Sequence, residues 1–187
     1  MNFERVRNLK KHHTIISLII FSFMIAYGII KIDLLISSTT LSNFGIREET
    51  NPFWIISLII LSASIWSNSY KYNRVISTLF RISVFGLVGV AFVDMDFSII
   101  LHDIFAGIFF LFYSLSIFVS GISLMKTDFR IAMTSIFISI LMMISILFLG
   151  VKLQSISEII FFILSFLWNF IIIYTMEIKK ILKYIGL

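Results

Sequence analysis

The sequence contains no cysteine, a single proline and few charged residues, and each shortage excludes a class of protein. Of its 187 residues, 13% are Asp, Glu, Lys or Arg, and none is Cys. The absence of cysteine excludes disulfides, thiolate metal sites and cysteine nucleophiles. Soluble domains carry about 25% charged and about 45 to 50% apolar residues. With 59% hydrophobic residues and a mean hydropathy of +1.06, the chain is predicted to be an integral membrane protein.

Six apolar runs, each bounded by charged residues, are long enough to cross a bilayer. A spanning helix needs about 20 residues, and backbone groups in hydrocarbon must hydrogen-bond internally, which favours helices. The runs cover about 14–30, 53–70, 75–93, 104–125, 131–150 and 157–176. The first run lacks a small-residue cleavage site, so we expect it to be retained as a span. The predicted fold class is all-α: residues 1–187 form one polytopic transmembrane domain, a six-helix bundle with short loops.

The basic residues predict the orientation of this bundle. An inside N-terminus places eleven Lys and Arg residues on the cytoplasmic side and three on the outer side. The inner set is Arg5, Arg7, Lys10, Lys11, Lys71, Arg74, Lys126, Arg130, Lys179, Lys180 and Lys183, and the outer set is Lys31, Arg47 and Lys152. Cytoplasmic loops are enriched in Lys and Arg, so both termini are predicted to be cytoplasmic in a multi-pass protein of the cell membrane. The same asymmetry explains the net charge of +5 without a nucleic-acid partner.

Small and hydroxyl-bearing residues within the runs predict helix packing. In lipid, small residues let helix backbones approach closely. One small-residue stripe is Gly107, Ser114 and Gly121, and another is Ser83, Gly86 and Gly89. Other serines in the runs, such as Ser62, Ser64, Ser139 and Ser165, are expected to bond to the backbone of their own helix.

Three polar side chains lie in or near the predicted spans. Arg81 is seven residues from Arg74, which places it about 10 Å along a helix. Its guanidinium either snorkels to the inner interface or lines a polar pocket with Asn169 and Asn68 in the cytoplasmic half. In the second case the pocket is predicted to hold a lipid phosphate, because the planar fork of Arg gives paired hydrogen bonds.

A second candidate site is the segment 94–103, just before the fourth predicted span. Asp94, Asp96, His102 and Asp103 offer carboxylates and an imidazole, which are ligands for a divalent cation and suitable groups for acid–base catalysis. Alternatively, the acidic segment is only the outer counterpart of the basic inner loops. No hydrolase motif or zinc set of histidines is present, and no span contains a central His or Cys for haem. We therefore expect no cofactor and favour a non-enzymatic function.

Several short motifs resemble a known family. The chain reads Leu41-Ser42-Asn43-Phe44-Gly45 before Pro52-Phe53, then Gly86-Leu-Val-Gly89-Val-Ala-Phe92, and later His102-x-x-x-Ala106. This resembles a prokaryotic family of six-helix membrane proteins classed as a domain of unknown function, and more distantly the DRAM/Sfk-like membrane proteins. Val93 stands where that family usually has proline.

The resemblance implies the six-helix topology, with Ser42, Asn43, Gly45 and His102 as matched positions, but it implies no activity. Asn and Gly tolerate left-handed backbone conformations, so the Ser42 to Gly45 element is expected to be a turn. We expect this turn to cover the mouth of the bundle and His102 to hydrogen-bond to it.

Three functions remain open from the sequence. The favoured one is a lipid-binding protein or accessory subunit, whose partners would be membrane lipids and other membrane subunits or further copies of the chain. The alternatives are an enzyme acting on lipid head groups through the outer His and Asp residues, and a transporter of small solutes. Spans without internal proline and with few charges argue against the transporter.

Overall fold

The structure is a computed structural model that describes residues 16–17, 19–23, 26–27, 45, 50–93, 95–147 and 154–184, with side chains in the last range limited to 156–172 and 175. The long helices within these ranges are α1 (Asn51–Ser69), α2 (Arg74–Phe92), α3 (Met95–Leu124), α4 (Phe129–Leu147) and α5 (Gln154–Tyr184). The described part of the chain contains no strand. The predicted all-helical class is confirmed there.

Four of these helices are long and apolar enough to cross a membrane, namely α1, α2, α3 and α4. A 19-residue helix such as α1 is about 28 Å long, close to the thickness of a hydrocarbon core. Helix α5 carries an apolar stretch over Ile156–Ile172. The helices overlap the second to sixth predicted spans, which supports a membrane protein, while the structure describes only part of the first predicted span.

Short polar side chains set the helix boundaries. Asn73 precedes α2, and its side-chain oxygen accepts a hydrogen bond from the backbone N–H of Ile76 at 3.0 Å. Asp128 caps α4 in the same way, accepting from Ile131 at 3.3 Å. Such caps satisfy backbone donors that have no partner within the helix. Ser98 interrupts α3 after its first turn with an extended backbone (φ −165°, ψ 106°).

Consecutive helices pack against each other in chain order, and short turns join α1 to α2 and α3 to α4. The α1–α2 and α3–α4 turns therefore lie at one end of the bundle, which we call the basic end because it carries Lys71, Arg74, Lys126 and Arg130. The α2–α3 junction lies at the opposite end, called the acidic end, together with Asp96, Asp103 and Glu158. This separation agrees with the predicted charge asymmetry.

Glycines allow two of the helix pairs to touch through their backbones. A Cβ atom on Gly86 would lie 2.5 Å from the backbone nitrogen of Phe109, and one on Gly121 would lie 3.0 Å from the carbonyl oxygen of Ala132. Gly107 is different, because a Cβ atom there would have no neighbour within 4 Å. The packing predicted for Gly86 and Gly121 is confirmed, and the prediction for Gly107 is wrong because its side of α3 faces outwards.

Aromatic side chains fill the space between α2, α3 and α5. They form one cluster of ring contacts that also reaches the first predicted span at Phe21. Its members are Phe21, Tyr72, Phe80, Phe109, Phe110, Tyr113, Phe161, Phe162, Phe166 and Trp168. Ring pairs of this kind prefer tilted and edge-to-face geometries, so the cluster holds α5 against the rest of the bundle.

Candidate functional site

Arg81 lies in the groove between α1 and α2, where two aromatic rings flank its guanidinium. The guanidinium carbon is 4.6 Å from the ring centroid of Tyr70 and 5.1 Å from that of Trp66. Both distances fall within the range of about 6 Å in which a cation is attracted to an aromatic ring. The two rings meet edge to face with centroids 6.5 Å apart. We call Arg81, Trp66 and Tyr70 the arginine clamp.

The arginine clamp has an unused hydrogen-bond donor. The Nε atom of Arg81 is buried and has no hydrogen-bond partner among the described residues. Leaving a buried donor unsatisfied costs about 1 to 3 kcal/mol, and more when the group is charged. Aromatic rings attract the charge of the guanidinium but accept no strong hydrogen bond from its edge. The clamp is therefore suited to a ligand that supplies an anionic oxygen.

The clamp opens outwards from the bundle. Trp66 is 42% exposed and Tyr70 is 59% exposed, and Phe85, one helical turn beyond Arg81, is 64% exposed. Trp and Tyr are enriched where membranes meet water. In a membrane this groove faces lipid, and the guanidinium lies beside Tyr70, which follows the last residue of α1 near the basic end.

Asn68 and Asn169 meet at a different place, in a small cavity inside the bundle. The polar residues lining this cavity are Asn68, Tyr72, Tyr113 and Asn169, and the apolar ones are Ile65, Phe80 and Trp168. Arg81 is not among them. Two of the three residues predicted for the lipid pocket thus line one interior cavity, while the third lies in the outward-facing clamp.

Hydrogen bonds between α3 and α5 organise this cavity. The Nδ2 atom of Asn169 donates to the hydroxyl oxygen of Tyr113 at 2.8 Å, and the Ser165 hydroxyl donates to the same oxygen at 2.9 Å. Ser165 therefore bonds to another helix, contrary to the backbone bond expected for it, whereas Ser139 does bond to its own helix at Ile136. The hydroxyl of Ser165 meets Tyr113 because the long tyrosine side chain bridges the space between α3 and α5.

Sequence reasoning missed Tyr113, which is the centre of this network. It follows several phenylalanines and is, like them, a large aromatic residue in an apolar run. The signal available was chemical, because a buried tyrosine hydroxyl requires a hydrogen-bond partner. A second missed bond joins the indole N–H of Trp168 to the Ser135 hydroxyl at 3.0 Å, linking α5 to α4.

The remaining edge of the cavity is formed by the α1–α2 turn. Lys71 donates to the side-chain oxygen of Asn68 at 2.8 Å, which directs this lysine along the turn. Burial raises the pKa of the Tyr72 hydroxyl above its usual value, and the nearby Tyr113 hydroxyl raises it further. Tyr72 therefore keeps its proton at neutral pH, and the cavity offers neutral hydrogen-bonding groups.

His102 lies at the acidic end, buried in the first turns of α3. Only 2% of its surface is exposed, and its Nδ1 atom is 2.6 Å from the carbonyl oxygen of Val93. Because a carbonyl only accepts, Nδ1 carries the proton in this bond. The imidazole thus ties the start of α3 to the end of α2.

A cleft of about 70 Å³ adjoins His102. Gly45 lines it together with Trp54, and a Cβ atom on Gly45 would lie 3.1 Å from the indole ring. Gly45 and His102 thus line the same cleft, but Gly45 is helical and not in a turn, and the hydrogen bond from His102 to this segment stays a prediction. Ser42 and Asn43 lie outside the described residues.

The carboxylates near His102 point elsewhere. Asp96 and Asp103 are exposed, whereas His102 is buried, and Asp94 lies outside the described residues. Across the ranges that the structure describes, no three His, Cys, Asp or Glu side chains are grouped to hold a metal ion. The metal and catalytic interpretations of this segment stay predictions.

Glu158 is an acidic residue whose burial the sequence did not indicate. Its side chain is 8% exposed and lines a mainly apolar cavity with Trp54, Phe109 and Phe162 among its walls. Carboxylates are rarely buried in apolar surroundings. The acidic end therefore has one interior carboxylate in addition to its exposed ones.

Comparisons of the chain with protein-family models, curated proteins and solved structures find no match. The resemblance to the six-helix family accordingly stays a prediction, and function must be argued from the two sites themselves.

Proposed function

We propose that this chain is a multi-pass protein of the cell membrane that binds an anionic lipid head group at the arginine clamp. One observation carries the proposal: the guanidinium of Arg81 is held between Trp66 and Tyr70 while its buried Nε has no acceptor. A lipid phosphate supplies an acceptor from the lipid side of the groove, and it reaches the buried Nε atom when the side chains covering that atom move aside. Arginine and phosphate form charge-assisted bonds about twice as strong as neutral ones.

The location of the clamp supports a membrane lipid as the ligand. The clamp lies near the basic end, whose residues Lys71, Arg74, Lys126 and Arg130 make that end the cytoplasmic one under the positive-inside rule. Basic grooves between helices at that interface suit anionic head groups. In this proposal the protein acts through binding, as a lipid-binding or accessory subunit, and its partner subunits stay a prediction.

Fluorescence quenching of Trp66 tests the proposal directly. The chain has three tryptophans, of which Trp54 and Trp168 are 3% and 2% exposed and only Trp66 is substantially exposed, at 42%. The full chain is placed in phosphatidylcholine nanodiscs with increasing phosphatidylglycerol brominated on its acyl chains. We expect saturable quenching, measured as the ratio to the same discs with unbrominated lipid.

The variant Arg81→Leu removes the proposed phosphate contact. A charge-assisted hydrogen bond contributes about 1.5 to 3 kcal/mol, so we expect the affinity for phosphatidylglycerol to fall by about tenfold or more. Arg130→Leu removes an equal charge at the same end and should change the affinity much less. Trp66→Phe measures the background from the buried tryptophans.

Unchanged quenching in Arg81→Leu, with gel filtration showing an intact monodisperse protein, would contradict the proposal. Arg81 would then serve only to anchor α2 at the interface by snorkelling.

A further inference from the structure

The outward face of α2 carries a second arginine in line with the clamp. Arg74, Thr78 and Arg81 occupy positions i, i+4 and i+7, which lie on one face of a helix. Seven residues correspond to about 10 Å along the axis. Arg74 is exposed at the first residue of α2, and Thr78 is also exposed. The groove therefore has one guanidinium at its entrance and one deeper in the membrane.

The positive charges on the face of α2 that carries Arg74 and Arg81 favour the binding of more than one phosphate. Lys71 is directed towards Asn68 by its hydrogen bond. The described carboxylate at the basic end, Asp128, bonds to the start of α4. Arg74 is thus the cation on the same face as Arg81, and a single phosphate bound at Arg81 leaves Arg74 at the entrance of the groove for another anionic group.

We infer that the groove selects a lipid with two phosphates joined by a short polar bridge, of the diphosphatidylglycerol class. This inference rests on the proposed function, since one phosphate binds at Arg81, and it adds that the second binds at Arg74. Linking the two phosphates makes the contact of the second phosphate with Arg74 intramolecular once the first is bound, which raises the affinity. Long arginine side chains reach along the helix surface, so both guanidinium groups can approach one bridged head group.

The surface deeper in the groove suits the acyl chains of such a lipid. Ile59 lies seven residues before Trp66 on α1, and Phe85 lies four residues after Arg81 on α2. They are 40% and 64% exposed, respectively. These positions continue the same two helix faces away from the basic end, where lipid chains would lie beneath a bound head group.

The test compares brominated diphosphatidylglycerol with brominated phosphatidylglycerol at matched phosphate content, using Trp66 quenching of the full chain in phosphatidylcholine nanodiscs. A basic residue near an anionic surface contributes about fivefold in affinity. We therefore expect the wild-type chain to bind the two-phosphate lipid about fivefold more tightly per phosphate. Arg74→Ala should abolish this preference and leave phosphatidylglycerol binding at Arg81 largely unchanged.

The chain provides a matched control for Arg74. Arg130 lies at the same end near the start of α4, and its carbonyl accepts from Thr134 as that of Arg74 accepts from Thr78, both at 2.9 Å. Seven residues after Arg130, however, stands Phe137 instead of an arginine. Arg130→Ala should therefore keep the fivefold preference.

The outcomes distinguish failure of the two-phosphate inference from failure of the proposed head-group site at Arg81. Equal binding of the two lipids per phosphate, or equal loss of preference in Arg74→Ala and Arg130→Ala, would overturn the two-phosphate inference. In that case a large effect of Arg81→Leu on phosphatidylglycerol binding would still support the head-group site. Unchanged binding of both lipids in Arg81→Leu would overturn both.

Discussion

Replacing Gly86 with alanine should push α2 and α3 apart. The added Cβ would lie 2.5 Å from the backbone nitrogen of Phe109 and 2.7 Å from the carbonyl oxygen of Phe105. Ordinary contact begins at 3.4 Å, so the helices must separate by about 0.9 Å at this point. Both obstructing atoms belong to the backbone of a helix, so no side-chain rotation can relieve the clash.

The size of the effect follows from two opposing contributions. Forcing a methyl group into a packed interface costs about 1 to 3 kcal/mol, whereas alanine favours a helix over glycine by about 0.8 to 1 kcal/mol. The net loss for Gly86→Ala is about 0 to 2 kcal/mol. For a chain of this size about 1 kcal/mol corresponds to 2 to 4 °C in Tm, so we expect Tm to fall by up to about 8 °C.

Gly107→Ala is the matched control, because it adds the same methyl group to α3 with no neighbour within 4 Å. It should leave Tm unchanged or raise it by about 2 to 4 °C through helix propensity. Thermal unfolding in mild detergent can be followed by the fluorescence of Trp54 and Trp168, which are buried. A Gly86→Ala protein as stable as Gly107→Ala would refute the close approach of the two backbones.

Two further substitutions test the polar contacts between helices. Tyr113→Phe removes the oxygen that accepts hydrogen bonds from Asn169 and Ser165. Because each such bond contributes about 0.6 kcal/mol in a membrane, the free energy of unfolding should fall by about 1 kcal/mol. A double-mutant cycle with Asn169→Leu measures their coupling, and strictly additive effects would show that the bond contributes nothing. His102→Phe should lower Tm by a few degrees because the Val93 carbonyl loses its hydrogen-bond donor. Asp103→Asn, a change at an exposed neighbouring residue, should leave Tm unchanged. Equal Tm values for the two variants would mean that the imidazole does not tie α2 to α3.

The sequence identified the helices well because its apolar runs are long and clearly bounded. Backbone groups in hydrocarbon have no water to bond to, so each run had to form a helix by itself. It did not identify the cap at the α1–α2 turn, where the Asn73 side chain accepts from Ile76. The bounds of α3 and α5 differ most from the prediction, because α3 begins at Met95 and not at residue 104, and α5 ends at Tyr184 and not at residue 176.

The candidate residues were found more reliably than their arrangement. Arg81, Asn68 and Asn169 stand out as polar residues in apolar runs, and their depth along a helix follows from residue counting. Counting residues along a helix does not give the directions of these side chains. Trp66 and Tyr70 could be recognised only as aromatic residues near an interface. The clamp depends on which face of α1 meets α2.

By itself, the sequence determined that the described helices form and where charges collect along the chain, because these properties depend on local hydrogen bonding and on contact with lipid or water. Tertiary structure alone decided that Arg81 faces outwards between two rings while Asn169 faces inwards to Tyr113. It also decided that Gly86 is enclosed and Gly107 is open. The physical reason is that the surroundings of a side chain depend on which neighbouring helix it contacts, and these contacts are decided only when the helices pack together.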